Sequence, residues 1–150
     1  MDGQRDQYRN REGEGVLKSG LVALLTGESS IRGIVGQRVY VGKAPQKGGS
    51  FPHIVITQQD SGEYQTLDGS TGTRSVEFDI DCKAERSVEV DDLSDAVRRF
   101  IDDYTGPAGK QTVSAVIINS ESMGYETPAD GSDVGVHATL IDCTIFYNPT

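Results

Sequence analysis

The feature that most constrains the fold of this chain is a strictly alternating run over residues 74–84. The apolar members of that run, at every second position, are Val76, Phe78, Ile80, Cys82 and Ala84. Side chains of a β-strand point alternately to its two faces, so a period of two predicts a strand with one packed face and one polar face. Such a strand needs neighbouring strands and a second layer that covers its apolar face.

Four further segments predict strands and two predict helices. The strand candidates, rich in β-branched and aromatic residues, are 38–41, 52–58, 112–119 and 134–147. Apolar residues recur at three- and four-residue steps over 14–26 and over 87–104, which is typical of amphipathic helices. The inward parity of the last strand changes near Leu140, and this change predicts a β-bulge there.

The resulting order of elements is α, β, β, β, α, β, β, which predicts the α+β class. We expect a mostly antiparallel sheet of about five strands, with two main helices packed on one face. One domain should cover residues 14–150. Residues 1–13 mix both charges without an apolar period, so we expect a flexible N-terminal arm there.

The charge of the chain is unevenly distributed. Its net charge is −9, and residues 60–103 alone contain 13 acidic and 5 basic residues. Affinity for phosphate backbones comes from lysine and arginine, so this composition disfavours nucleic-acid binding. No apolar stretch reaches the roughly 20 residues of a membrane span, and the polar first residues do not resemble a signal peptide. We therefore expect a cytoplasmic chain with no membrane partner.

Residues able to support catalysis are scarce. Cys82 and Cys143 lack the spacing of a zinc site, and we expect both to be buried thiols. His53 and His137 are not accompanied by a nucleophile motif, and packing positions are favoured for both. The glycine-rich segments lack the Gly-Lys-Ser/Thr ending of a phosphate loop. We expect no enzyme activity, no cofactor and no metal.

One catalytic alternative is a small metal-dependent hydrolase. Asp79, Asp81 and Asp142 lie on two candidate strands that could approach each other, and carboxylates are ligands for hard cations. Asp79 and Asp81 belong to the polar face of an amphipathic strand, where acidic residues are common in any soluble protein. A surface that meets solvent or a partner is the favoured interpretation.

Seven short motifs follow one another along the chain. They are residues 34–40 (IVGQRVY), 44–46 (APQ), 51–55 (FPHIV), 67–69 (LDG), 79–84 (DIDCKA), 93–98 (LSDAVR) and 145–147 (IFY). In order and spacing they resemble the bacteriophage tail-completion, or tail-terminator, proteins, over roughly Leu17 to Tyr147. The resemblance implies a structural virion protein of the neck: a homo-hexameric ring that caps the tail tube and functions in head-tail joining.

The same resemblance implies the partners of the chain. They are further copies of itself, the tail-tube protein and the head-side connector or stopper protein, with DNA near it only in transit. Assembly would take place in the host cytoplasm before the ring enters the virion. The alternatives are another neck protein, such as a connector or stopper, and the tail-tube subunit itself.

Two long loops are candidates for contact with these partners, because loops on a rigid sheet can give a ring two unequal faces. The candidate residues, from loops 60–72 and 123–133, are Tyr64, Leu67, Asp68, Met123 and Tyr125. Aromatic and methionine side chains commonly anchor interfaces, although these could also pack back onto their own domain.

The polar face of the alternating strand offers candidate lumen-facing acids, namely Glu77, Asp79 and Asp81. Carboxylates that line the bore of a ring would repel passing DNA and keep it from adhering to the wall. The helix acids Asp91, Asp92 and Asp95 could serve in the same way. The alternative is a soluble surface without a special purpose.

Overall fold

The computed structural model describes residues 17–45, 51–59, 73–127 and 135–148. The helices of this part of the chain are α1 (described over residues 17–27), α2 (Ser29–Val35) and α3 (Ser87–Ile101). Its strands are β1 (Val39–Val41), β2 (His53–Gln58), β3 (Arg74–Ala84), β4 (Gly106–Ala108), β5 (Gln111–Glu126) and β6 (Val136–Asn148). None of the described helices has the length and apolar character needed to cross a membrane.

The strands form one sheet in the order β1-β2-β3-β6-β5-β4. β1 and β2 are parallel, and every other neighbouring pair is antiparallel. β3 and β6 form the centre of the sheet and pair over the whole of β3, from Arg74 opposite Tyr147 to Ala84 opposite His137. The fold is therefore mixed α/β with a mainly antiparallel sheet, close to the predicted class.

Helices α1 and α3 cover the apolar face of the central strands. Leu21 of α1 and Leu93 of α3 are buried in the same core as Phe78 and Ile80 of β3. Residues from both helices enclose a small apolar space together with residues of β3, β4, β5 and β6. The alternation predicted for residues 74–84 is confirmed, because the apolar set is buried and the intervening residues are partly or fully exposed.

A glycine allows α1 to approach the sheet closely. A Cβ atom placed on Gly20 would lie 2.3 Å from the carbonyl oxygen of Ala108 in β4, far inside van der Waals contact. The helix backbone and the β4 backbone therefore meet directly, without a side chain between them.

The structure differs from the prediction in the number and ends of its elements. Six strands are present in the described part of the chain, since β4 joins the sheet beside the start of β5. Ser29–Val35, for which no helix was predicted, form the short helix α2. Helix α3 ends at Ile101, a few residues before the predicted end at Tyr104. β5 continues to Glu126, so residues 123–126 are strand, although a loop was predicted for 123–133.

The β-bulge predicted in the last strand was wrong. β6 keeps one continuous register against β3, and the register shifts lie in β5, between Val113 and Ala115 and between Ile118 and Ser120. The inward set of β6 is Thr139, Ile141, Cys143, Ile145 and Tyr147 throughout. A central strand has partners on both sides and tolerates a shift poorly, whereas a strand near the sheet edge accommodates it.

Candidate functional site

The face of the sheet opposite α1 and α3 carries a row of carboxylates. Glu77 is exposed, while Asp79 and Asp81 are half-buried between the neighbouring strands. Asp142 of β6 lies directly opposite Asp79 in the register. The side chains of directly opposed residues are close neighbours, so like charges meet at this pair. The predicted acidic face of β3 is thus present, and β6 adds a fourth carboxylate to it.

The contacts of these carboxylates leave the row acidic. The side-chain amide of Gln59 donates a hydrogen bond to Asp79. Lys83 Nζ lies 3.7 Å from Asp81 Oδ2 and 3.4 Å from Glu126 Oε1. Asp142 Oδ1 is enclosed and accepts no hydrogen bond from the described residues. Lys83 therefore neutralises part of the negative charge of the row at the end that lies beside Glu126 of β5.

The half-buried position of Asp81 changes its acidity. Removal from water raises the pKa of its carboxyl group above the ordinary value, because the charged form loses hydration. The ammonium group of Lys83 opposes this increase, and the negative charges of Glu126 and Asp79 add to it. The burial effect exceeds the attraction to Lys83, so the net pKa shift is upward.

The carboxylates of this row are spread along two strands. In residues 17–45, 51–59, 73–127 and 135–148, no group of three or more His, Cys, Asp or Glu side chains is arranged to hold a cation. Asp79 and Asp81 stand two positions apart on one strand, which separates their Cα atoms by roughly 7 Å. Asp81 lies opposite Leu140 rather than opposite Asp142. The arrangement gives the hydrolase alternative no support.

The cysteines and His53 occupy packing positions. Cys82 and Cys143 are both unpaired and buried, as predicted. Burial raises the pKa of the Cys143 thiol to about 12 and raises that of Cys82 as well, so neither is a thiolate nucleophile at neutral pH. The ring of buried His53 stacks on Phe51, with 4.7 Å between the ring centroids. Packing is the role that the sequence predicted for this histidine.

Met123 and Tyr125 lie on strand β5 and are 82% and 57% exposed. The ring of Tyr125 contacts His137 across the hairpin, with 5.0 Å between the ring centroids, and covers Gly135. Tyr125 thus packs partly on its own hairpin, whereas Met123 remains accessible. The other predicted contact residues, Tyr64, Leu67 and Asp68, lie outside the described residues.

An acidic groove runs between the middle of α3 and strand β5, and no sequence pattern predicts it. The groove has a volume of about 520 Å³ and is lined by Asp91, Asp92, Asp95, Arg98, Glu121 and Met123, among others. Arg98 bridges the two walls, because its guanidinium group contacts Asp95 of α3 and lies 3.6 Å from Glu121 of β5. The groove joins α3 to residues of β5 that are distant in sequence, so a local sequence pattern does not indicate it.

The described part of the chain thus presents carboxylates on the open sheet face and in the groove, and exposed apolar side chains on β5. The model of the family "Tail completion protein gp17" matches residues 19–138, which is 120 of the 150 residues. The chain belongs to this family of tail completion proteins. It is a structural protein of a tailed phage or a related virion, and the predicted resemblance is confirmed.

Solved structures provide a similar fold. One is a chain of the "Virion of native gene transfer agent (GTA) particle", which superposes with a TM-score of 0.63 at 11% sequence identity. The match covers 89% of this chain and 95% of that chain. At this identity the likeness establishes the fold alone. A search of curated proteins found no match.

Proposed function

We propose that this protein is a tail terminator. It forms a homo-oligomeric ring, a hexamer, that caps the finished tail tube and joins it to the head-side connector or stopper protein. The family match over residues 19–138 carries the proposal. The geometry supports it, because exposed apolar side chains lie on rigid strands, where a partner protein can dock.

Capping requires a subunit with two unequal faces, one that docks on the tube and one that stops further addition. We propose that long loops between the strands supply these two unequal faces. The proposed partner contacts are Met123 and Tyr125 of β5 and Tyr64, Leu67 and Asp68 of the predicted loop 60–72, and the partners are further copies of the chain, the tube and the connector. Ring assembly would occur in the host cytoplasm, from protomers that meet before the tail joins the head.

The carboxylate row is proposed to face the bore. Glu77, Asp79 and Asp81, joined by Asp142, would present negative charge to DNA that passes through the ring and would prevent its adhesion. A density map of the assembled ring tests this placement directly. Carboxylates that face the outer rim in that map would contradict it.

Deletion of the gene from its phage tests the proposed function. We expect tails of uncontrolled length that do not join to heads, with both defects corrected by a wild-type copy. Loss of a connector or stopper would instead leave tails of normal length and affect the heads. Loss of the tube subunit would leave no tube. Normal particles from the deleted phage would contradict any role in tail completion.

The mass of the purified protein distinguishes a terminator from a tube subunit. A terminator closes into discrete rings, whereas a tube subunit grows without limit.

The hydrolase alternative makes a separate prediction for a variant with Asn at positions 79, 81 and 142. A terminator with these substitutions still controls tail length, and a metal-dependent enzyme loses all turnover.

A further inference from the structure

The two edges of the sheet differ in charge and are both open in the described part of the chain. At one edge, β1 pairs only with β2. At the other, β4 covers β5 only along residues 111–113, so residues 114–126 of β5 have β6 on one side and no described strand on the other. An open strand edge presents unpaired N–H and C=O groups and is a template for another strand.

The backbone of β1 shows which groups face outward. Ile54 N–H donates to the carbonyl of Arg38, and Gly42 N–H donates to the carbonyl of Ile56. Alternate residues of a strand turn their backbone N–H and C=O groups to opposite sides. The backbone groups of Arg38 and Gly42 face β2, and those of the intervening Val39 and Val41 point away from it. The backbone groups of Val41 therefore face the open side of β1.

Exposed apolar side chains concentrate on these two edge strands. Five large hydrophobic side chains are exposed in the described residues, and four of them are Val41 of β1 and Ile117, Met123 and Tyr125 of β5. The fifth, Val88, begins α3. Exposed apolar groups beside unpaired strand edges are characteristic of surfaces that a partner covers.

The charges of the two edges are complementary. Residues 32–45, which contain most of α2 and all of β1, carry the bases Arg32, Arg38 and Lys43 and no acid. The β5 edge carries Glu121 and Glu126 and borders the acidic groove lined by the carboxylates of α3. A positive surface and a negative surface of the same chain favour contact between unlike edges.

We propose that the β1 edge of one copy binds the β5 edge of the next copy. The occupant of each edge is thus a second copy of this chain, and the interface is head-to-tail, which generates a ring when the rotation closes. A twofold contact of β5 with β5 would place the glutamates of both copies together, and a contact of β1 with β1 would place the bases together. This assignment rests on the proposed ring and locates its subunit interface.

Native mass spectrometry of edge variants tests the assignment. The β1-edge variant carries Val41→Glu and Lys43→Glu, and the β5-edge variant carries Met123→Lys and Glu126→Lys. Each is expected to associate roughly tenfold more weakly than wild type, or worse, because like charges then meet at the interface. The matched control, Arg86→Glu with Val88→Glu, changes an exposed base and an exposed apolar residue at the start of α3 and should retain rings. Circular dichroism and thermal melting verify that each variant folds.

A mixture of the two edge variants gives the sharpest result. Each variant keeps one wild-type edge, and the two substituted edges place glutamates against lysines. Every contact between unlike copies in the mixture therefore joins opposite charges, and the mixture should regain rings of alternating copies. Rings retained by both edge variants alone, or a mixture that forms no rings, would overturn the edge assignment while the ring itself stands. A wild-type protein that forms no ring would overturn the proposed function together with this inference.

Discussion

The two faces of strand β3 differ sharply, although their residues alternate along one backbone. Phe78 and Ile80 are fully buried beneath the helices, whereas Asp79 and Asp81 between them are half-buried on the open face. Because side chains of a strand alternate, neighbouring positions serve separate purposes. Substitutions on the covered face should therefore change folding, and substitutions on the open face should change charge and assembly.

The largest expected effect lies on the covered face. Phe78→Ala removes a fully buried ring and leaves a cavity, and we expect a loss of about 3–5 kcal/mol in the free energy of unfolding. Urea denaturation measures it. Ile80→Val, a smaller truncation in the same core, should cost about 0.5–1.5 kcal/mol and gives a graded comparison. Glu77→Gln on the exposed side should stay within about 0.5 kcal/mol of wild type. Equal losses of unfolding free energy from Phe78→Ala and Glu77→Gln would contradict the difference between the two faces.

A second substitution tests how tightly the covering layer packs. Gly20→Ala places a methyl group against the Ala108 carbonyl, and such overpacking costs typically about 1–3 kcal/mol. The better helix propensity of alanine returns up to about 1 kcal/mol, so a net loss is expected. Gly33→Ala in α2 is the matched control, because a Cβ there meets nothing within 4 Å. The control should be neutral or stabilising in thermal denaturation. A stabilising Gly20→Ala would show that α1 lies farther from β4.

A third substitution addresses the opposed carboxylates of the open face. Asp142→Asn removes the like-charge contact with Asp79 and supplies an amide donor, so we expect a gain of about 0.2–1 kcal/mol in unfolding free energy. The double variant with Asp79→Asn should gain less than the sum of the single variants, since the two residues share one interaction. Additive effects, measured by urea denaturation, would argue that the two carboxylates do not interact.

Much of the covered face was predictable from sequence, and the sheet edges were not. The alternation around Phe78 and Ile80 is a strong signal because burial on one face forces a period of two. β4 has three residues and contains Pro107, so no pattern could identify it. The second half of β5, from Asn119, is exposed throughout, and without a buried face it has no apolar period. Its strand state depends on pairing with β6.

The candidate site was predictable to a similar degree. The alternation of residues 74–84 is enough to predict that Glu77, Asp79 and Asp81 share one face of a strand. The opposition of Asp142 to Asp79 depends on the register between β3 and β6, and the acidic groove depends on the approach of α3 to Glu121. Such contacts join residues distant in sequence, and local patterns carry no information about them.

The smallest expected effect is a change in pH dependence at Asp81. The native carboxyl group has a pKa above its ordinary value near 3.8, so the folded protein binds this proton more tightly than the unfolded chain does. The stabilisation from this proton is complete below the unfolded pKa and disappears as pH rises through the folded pKa. Asp81→Asn removes this loss, so relative to wild type the variant should be more stable at about pH 7 than at about pH 3. Glu77→Gln is the control on the same face and should keep the wild-type profile. Urea denaturation between about pH 3 and pH 7 measures the free energy of unfolding of each protein. If the difference between Asp81→Asn and wild type does not vary with pH, Asp81 is as well hydrated in the folded protein as in the unfolded chain.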